Sequence, residues 1–212
     1  MRIVLMIILT VLLCASARAQ LVAVNAADLS PQLAPGSVGL LVFADFGVVG
    51  ELQADSLPLP VTLGGVSVRI DGQPAPLFRV TMARITFQVP IEARPGLAEV
   101  EVVRPDGKHL TSKVYLTPQG PALFRITVTP RANDTVLVVL WATGIQIDRC
   151  PHIQVQAGQA FFTPLFVGAT EYVGVQQLNF LLPKALVTGI PNNNLLRVDQ
   201  FTSSGFTLSL NQ

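Results

Sequence analysis

The sequence predicts an all-β protein built from two β-sandwiches in tandem, and three observations support this prediction. Apolar and polar residues alternate with a period of two in several short segments, which is typical of strands with one buried and one solvated face. Sixteen glycines and sixteen prolines separate these segments, and amphipathic helical periodicity is absent. A set of short phrases recurs, in the same order, in the second half of the chain.

The chain begins with a segment typical of a secretory signal. Arg2 precedes an apolar run from Ile3 to Leu13, and Ala17-Arg18-Ala19 forms an Ala-x-Ala cleavage pattern before Gln20. The apolar run is shorter than the roughly 17–25 residues that a membrane-spanning helix needs, which argues against an uncleaved anchor. We therefore predict a signal peptide over residues 1–19 and a secreted mature protein, either periplasmic or extracellular.

The composition argues against several function classes. Without residues 1–19 the chain has 12 Lys and Arg against 13 Asp and Glu, and its basic residues form no cluster. Nucleic-acid binding needs such a cluster against the phosphates, so we expect no nucleic-acid partner. No later apolar stretch is long enough to span a bilayer, so we expect no transmembrane segment after cleavage. Cys150 is the one cysteine left, so no intramolecular disulfide can form and apolar cores must stabilise the fold.

Individual strands are predicted from local alternation. Apolar residues alternate with polar ones over 66–70, 85–89 and 99–102. The segment "TVLVVLWATG" at 135–144 is apolar over most of its length, which is typical of a central strand covered on both faces. The Pro-Asp-Gly sequence within 104–109 favours a tight hairpin turn. About seven such strands per half, with turns roughly every 8–12 residues, are typical of an immunoglobulin-like sandwich.

Five short phrases recur in order between the two halves. The pairs are 42–47 with 140–145, 68–73 with 155–160, 77–78 with 165–166, 85–90 with 178–183, and the turn at 106–107 with a turn at 204–205. We interpret this recurrence as two copies of one fold and not as two copies of one binding site. The predicted domains are therefore a first sandwich over residues 20–126 and a second over residues 127–212.

Four phrases carry a resemblance to a known family. They are "VNAADLSPQLAPGSVGLLVF", "LPLPVTLGGVSVRIDGQPAPLFRV", "ITFQVPIEARPGLAEVEV" and "VLVVLWATGI". They resemble an uncharacterised family of secreted C-terminal domains that is abundant in acidobacterial proteins, whose halves are similar to IPT/TIG-type immunoglobulin-like domains. The resemblance covers the chain from about Val24 to Leu210. It implies a tandem sandwich on an exported protein and no catalytic residues.

Cys150 and His152 are the strongest candidates for catalysis. They are two residues apart, so on a strand they would share one face, as a nucleophile and its base do. Pro151 interrupts strand pairing and no third orienting group is evident, which favours a small apolar role for the cysteine. A metal site is no better supported, because structural zinc normally takes four ligands. We therefore predict no catalytic residue, no metal and no cofactor, while an exposed Cys150 thiol would be free to pair with another chain.

The segment from residue 150 to 195 is unusually apolar. Its only charged residues are Glu171 and Lys184, and "AFFTPLFVG" at 160–168 holds three phenylalanines. One interpretation is a core together with the seam between the sandwiches. The other is an exposed patch that binds a partner.

The candidate contact residues are Phe161, Phe162 and Cys150. Phe161 and Phe162 are adjacent, so only one of them can face outward on a strand. Trp141 is a poor candidate, because it ends a strand that we expect to be buried.

These observations predict a non-enzymatic binding or structural module of the cell envelope or extracellular space, which acts through protein–protein contacts. A carbohydrate-binding module is the alternative, and it requires a row of exposed aromatic rings on one sheet. An enzyme built on Cys150 and His152 is a third possibility, and it requires a pocket at those residues. The expected partner is an unidentified protein or glycan.

Overall fold

The computed structural model describes residues 20–149, 151–190 and 193–210. Within these ranges the chain forms 18 strands in four antiparallel sheets, with two short 3-10 helical turns at Ile147–Arg149 and Lys184–Leu186. The predicted all-β class is confirmed. No helix in the described part of the chain has the length and apolarity needed to cross a membrane. The predicted signal peptide and Cys150 lie outside the described residues.

The first sandwich contains ten strands. They are β1 (Val22–Asn25), β2 (Val38–Val42), β3 (Glu51–Gln53), β4 (Thr62–Leu63), β5 (Val66–Ile70), β6 (Gln73–Pro74), β7 (Leu77–Thr81), β8 (Arg84–Gln88), β9 (Gly96–Val103) and β10 (His109–Leu116). Sheet 1A has the order β1-β2-β8-β7-β3. Sheet 1B has the order β10-β9-β5-β4, with β6 paired to β5.

The second sandwich contains eight strands. They are β11 (Ala122–Pro130), β12 (Thr135–Thr143), β13 (Ile153–Ala157), β14 (Ala160–Phe162), β15 (Phe166–Ala169), β16 (Gln176–Pro183), β17 (Asn194–Val198) and β18 (Phe201–Thr202). Sheet 2A has the order β11-β12-β16-β15, and sheet 2B has the order β14-β13-β17-β18.

Each sandwich has its own apolar core between its two sheets. The first core is built from residues 21–116 and the second from residues 128–208. In β5, Val66, Val68 and Ile70 are buried, while Ser67 and Arg69 point away from the core. Period-two alternation therefore places one face of each strand in a core, because successive side chains of a strand point to opposite faces.

The two sandwiches share one topology, which supports the interpretation of the recurring phrases as two copies of one fold. The order β1-β2-β8-β7 in sheet 1A corresponds to β11-β12-β16-β15 in sheet 2A. The order β10-β9-β5 in sheet 1B corresponds to β18-β17-β13 in sheet 2B. Both sandwiches are immunoglobulin-like in their pairing of two antiparallel sheets around one core.

The turn predicted at residues 204–205 is wrong. The hairpin between β17 and β18 turns at Asp199 and Gln200, and Val198 pairs with Phe201. Asp199 adopts a left-handed backbone conformation with φ of 53°. Asp and Asn tolerate that conformation better than other non-glycine residues. Asp199 can therefore form the turn, for which the prediction had assumed a glycine.

The prediction that β12 is covered on both faces is also wrong. Its even-numbered residues from Val136 to Ala142 are buried in the second core. Leu137, Val139 and Trp141 are half-buried on the outer face of sheet 2A. β12 is central within its sheet because β11 and β16 flank it, but a near-continuous apolar sequence did not mean two buried faces.

The chain passes from the first sandwich to the second through residues 117–121. β10 ends at Leu116, and β11 pairs with β12 from Ala122 to Pro130. The predicted boundary between residues 126 and 127 falls inside β11. The division into separately folding domains stays a prediction.

Candidate ligand-binding groove between the sandwiches

A polar seam joins the two sandwiches, and Thr143 lies at its centre. This residue ends β12 and its side chain is fully buried. Its hydroxyl oxygen accepts a hydrogen bond from the Val38 backbone N–H at 2.9 Å and donates one to the Gly174 carbonyl oxygen at 2.7 Å. One hydroxyl therefore connects β2 of the first sandwich with the β15–β16 connection of the second. Without it, the Val38 N–H would be buried without a partner.

The linker between the sandwiches is bonded to both of them. The Thr117 N–H donates to the Leu33 carbonyl oxygen at 2.8 Å, and the Gly120 N–H donates to the Gly144 carbonyl oxygen at 2.8 Å. A Cβ atom at Gly144 would overlap the Gly120 carbonyl oxygen, so the two backbones approach closely here. The seam thus contains hydrogen bonds of backbone groups and of the Thr143 hydroxyl, whereas one interpretation of the sequence placed apolar residues there.

The hairpin over residues 170–175 contacts the first sandwich through Gly174. The Thr170 hydroxyl accepts from the Tyr172 N–H at 3.1 Å and donates to the Val175 carbonyl oxygen at 3.0 Å, which closes the turn. Gly174 has φ of 74°, and a Cβ atom there would lie 2.9 Å from Val38 Cγ2 and 3.0 Å from the Gly36 carbonyl oxygen. Only glycine therefore lets this hairpin lie directly against β2.

A groove with a cavity volume of about 670 Å³ lies between the sandwiches, beside this hairpin. Four aromatic side chains line it: Phe78, Phe124, Trp141 and Tyr172. Phe124 is 43% exposed and Tyr172 is 62% exposed. The groove is open to solvent at these two rings, while Phe78 and Trp141 are half-buried.

Two β-bulges position the phenylalanines of the groove. The pairing register shifts between Leu77 and Arg79 in β7, and between Leu123 and Arg125 in β11. The extra residue in a bulge bends its strand and re-aims a side chain. In both strands the bulged residue is a phenylalanine followed by an arginine, and all four side chains line the groove.

These two bulges correspond to a repeat that the phrase comparison missed. Residues 77–81 are "LFRVT" and residues 123–127 are "LFRIT". The two segments come from non-equivalent strands, β7 and β11, so an alignment of the two sandwiches does not superimpose them. A search for local identity at any spacing would have found them.

The charged groups of the groove balance one another. The Arg79 Nε atom lies 3.4 Å from a Glu51 carboxylate oxygen. The Arg125 guanidinium carbon lies 5.2 Å from the centroid of the Trp141 ring, in a cation–π arrangement. Glu171 supplies the one carboxylate that lines the groove.

A second cavity of about 540 Å³ lies between the sandwiches and shares Tyr172, Val173 and Val175 with the groove. Its walls include the side chains of Gln88, Gln146 and Gln176. It has no aromatic residue other than Tyr172 in its lining. The aromatic character therefore belongs to the first groove.

The candidate contact residues Phe161 and Phe162 lie on sheet 2B, away from the groove. Phe161 is 50% exposed, and the Arg197 guanidinium carbon lies 5.6 Å from its ring centroid. Phe162 packs against the second core. The strand thus places the two rings on opposite faces, as alternation requires, and neither lines the groove.

The Cys150–His152 pair can be described only at the histidine, because Cys150 lies outside the described residues. His152 is exposed, and its backbone N–H donates to an Asp199 carboxylate oxygen at 2.8 Å. It lines neither of the two cavities. Within the described ranges, no three His, Cys, Asp or Glu side chains are grouped as a metal site would need.

The reason for setting Trp141 aside as a contact residue does not hold. The sequence suggested that it ends a buried strand, but its ring lies on the outer face of sheet 2A and lines the groove. The alternation of side chains along β12 could have indicated this position from the sequence. It places Trp141 on the opposite face of the strand from the buried Leu140 and Ala142.

Comparison with known proteins gives weak similarities only. No protein-family model and no curated protein matches the chain. The structure of SGBP-B from a Bacteroides ovatus mixed-linkage glucan utilization locus, in complex with a mixed-linkage heptasaccharide, is 11% identical with a TM-score of 0.40. That match covers 84% of this chain, which spans 43% of the Bacteroides chain.

Two murine structures are also similar over most of the chain. Murine CEACAM1b is 10% identical with a TM-score of 0.22, and the match covers 92% of this chain and 100% of that one. A mouse coronavirus receptor-binding domain complexed with its murine receptor is 13% identical with a TM-score of 0.23, with the same coverage. At these identities and TM-scores, none of the three structures informs the function of this chain.

Proposed function

We propose that the protein is a non-enzymatic binding module that holds a carbohydrate chain in the groove between its two sandwiches. The observation that carries this proposal is the set of four aromatic rings in an open groove, with Trp141 among them. Sugar rings have apolar faces that pack on aromatic side chains and hydroxyl groups that need polar partners. Ligand sites typically combine such apolar walls with a few polar groups, which Arg79, Arg125 and Glu171 supply here.

The carboxylates of the groove support binding over hydrolysis. Most glycoside hydrolases place two carboxyl groups on either side of the scissile bond. Glu171 is the one carboxylate that lines this groove, since Glu51 lies outside the lining and contacts Arg79. A bound sugar chain would therefore meet a single exposed acid.

The protein–protein function expected from the sequence has one supporting feature. Phe161 is half exposed on β14, an edge strand of sheet 2B. A partner bound there would leave the groove free. Phe161 is therefore a suitable control position for experiments on the groove, because the two functions depend on different sheets.

The test replaces Trp141 with alanine. Trp141→Ala removes a large aromatic contact surface from the groove, and we expect the affinity for a carbohydrate ligand to fall about tenfold or more. A glycan array identifies bound carbohydrates with the wild-type protein, and isothermal titration calorimetry then measures the variants. Phe161→Ala is the matched control and should bind as the wild type does. A correctly folded Trp141→Ala protein with wild-type affinity would refute the proposal.

A further inference from the structure

We infer that the bound carbohydrate is an uncharged polysaccharide chain that continues from the groove across the outer face of sheet 2A, over a platform formed by Gln177, Asn179 and Phe166. This inference rests on the proposed function, and it adds the class of carbohydrate and a second set of contact residues. None of the three platform residues lines the groove itself.

The pairing register places the platform directly beside Trp141. Trp141 on β12 pairs with Gln177 on β16, and Gln177 pairs with Gly168 on β15. In the neighbouring row, Asn179 pairs with Phe166. Adjacent strands lie about 4.8 Å apart, so the row from Trp141 to Gly168 extends the contact surface by about 10 Å.

The Phe166 ring leans over Gly168 on this surface. A Cβ atom at Gly168 would lie 2.6 Å from Phe166 Cζ, so the ring occupies the space above the glycine. Phe166 is 47% exposed, while its neighbour Val167 packs on the second core. The ring therefore covers Gly168 while about half of its surface stays open to solvent, where the apolar face of a sugar ring can pack on it.

The amides between the two aromatic rings are fixed by each other. Gln177 Nε2 donates a hydrogen bond to Asn179 Oδ1 at 2.9 Å. This bond leaves the side-chain oxygen of Gln177 free to accept hydrogen bonds and the side-chain N–H groups of Asn179 free to donate them. A hydroxyl group is both a donor and an acceptor, so an amide pair held in this way matches the hydroxyls of a sugar chain.

The charges along the groove and the platform favour an uncharged polysaccharide. The outward-facing residues of sheet 2A beyond Arg125 are neutral: Thr127, Thr129, Leu137, Val139, Gln177, Asn179, Leu181 and Phe166. In the groove, Arg79 is paired with Glu51, and the remaining Arg125 is matched by the carboxylate of Glu171. A polyanionic chain would find no excess of positive charge to offset the loss of its hydration.

The experiment measures binding against chain length. Calorimetry uses gluco-, manno- and xylo-oligosaccharides from the disaccharide to the hexasaccharide, with oligogalacturonates as the charged counterpart. We expect affinity to rise with length for a neutral series. Phe166→Ala should weaken hexasaccharide binding about tenfold and leave disaccharide binding unchanged, because the short ligand occupies the groove alone. Phe161→Ala, with a similarly exposed ring on the other sheet, should change neither.

The outcomes separate this inference from the proposed function. Wild-type hexasaccharide affinity in Phe166→Ala, or tighter binding of oligogalacturonate than of any neutral series, overturns the inference even when Trp141→Ala abolishes binding. Absence of binding to every carbohydrate overturns both. Phe166→Leu keeps an apolar side chain over Gly168 but removes the ring, so it serves as the second variant if Phe166→Ala is destabilised.

Discussion

Sheets 1A and 2A have the same strand order but different outer faces. In sheet 1A, Arg79 on β7 pairs with Thr86 on β8. At the corresponding place in sheet 2A, Phe166 pairs with Asn179. The recurring phrases 85–90 and 178–183 make this correspondence explicit, since the first contains most of β8 and the second lies within β16. The same backbone thus presents a charged face in one sandwich and an aromatic and amide face in the other.

Because of the bulge in β7, the structural correspondence between the two sandwiches differs by one residue from the alignment of the recurring phrases. The phrases aligned Leu77-Phe78 with Leu165-Phe166. Because the register shifts between Leu77 and Arg79, the position paired like Phe166 is Arg79. A local insertion of this kind is invisible in an ungapped comparison of short phrases.

An extra edge strand explains part of the difference between the two sheets. Sheet 1A ends in β3, whose Glu51 forms the ion pair with Arg79. Sheet 2A ends at β15 and has no counterpart of β3 among the described residues, which leaves Phe166 on an edge strand. The buried alternation thus preserves the fold, while edge strands and outer faces are free to acquire different chemistry.

The largest expected effect tests whether the two cores are independent. Phe87 in β8 and Phe180 in β16 are corresponding, fully buried residues, and replacing either with alanine should cost about 3–5 kcal/mol of unfolding free energy. Trp141 is the chain's one tryptophan and lies in the second sandwich, so its fluorescence in a denaturant titration follows that sandwich. We expect Phe180→Ala to lower the denaturant concentration at the midpoint of the fluorescence transition more than Phe87→Ala does. Equal shifts would show that the sandwiches unfold as one unit.

A smaller effect is expected at the hairpin that contacts the first sandwich. Gly174→Ala forces a Cβ atom against Val38 and should cost about 1–3 kcal/mol. Gly158→Ala is the matched control, because Gly158 has φ of 60° but a Cβ atom added there would meet no other atom within 4 Å. Hydrogen exchange at the Val38 amide is the measurement, since that N–H donates to Thr143 across the seam. Equal Val38 protection in both variants would mean that the seam does not depend on Gly174.

The smallest expected effect is the contribution of Asp106, in the β9–β10 hairpin, to the stability of the fold. The Lys108 backbone N–H donates to the Asp106 carboxylate at 3.1 Å, and this bond, with smaller contributions from the charges of Lys108 and Arg104, lowers the pKa of Asp106. A carboxyl whose pKa is lower in the folded state stabilises the fold above its unfolded pKa. That contribution is lost as the pH falls through the folded pKa.

An NMR titration of Asp106 checks this expectation. The midpoint should lie below the ordinary value for aspartate. Lys108→Ala should preserve most of the shift, because the main donor is a backbone group that the substitution retains. A return to the ordinary midpoint in Lys108→Ala would assign the effect to the side-chain ion pair instead.

The sequence predicted the fold through its buried faces. The alternation over 66–70 and 85–89 identified β5 and β8, and the recurring phrases identified corresponding strands in the two sandwiches. These signals are strong because burial constrains every second residue of a strand. Outer faces carry no such constraint, which is why the apolar character of 135–144 was mistaken for burial on both sides.

The groove could not be predicted from the same signals. It depends on two bulges, at Phe78 and Phe124, and on the close contact of Gly174 with the first sandwich. Bulges and inter-sandwich contacts are set by tertiary packing, and a single glycine or an extra residue leaves little trace in local periodicity. The identical Leu-Phe-Arg triplets were the available signal for the two bulges, and their positions on non-equivalent strands concealed it.

The bonds at the two ends of the linker determine how the molecule responds to tension. Thr117 is bonded to Leu33 of the first sandwich, and Gly120 is bonded to Gly144 of the second. Only residues 118 and 119 lie between these two bonded positions, so little of the linker could straighten under a pull. The sandwiches can move apart only when bonds that cross the seam break, such as the one from the Val38 N–H to the Thr143 hydroxyl, so the joint transmits force as a stiff connection and not as an elastic tether.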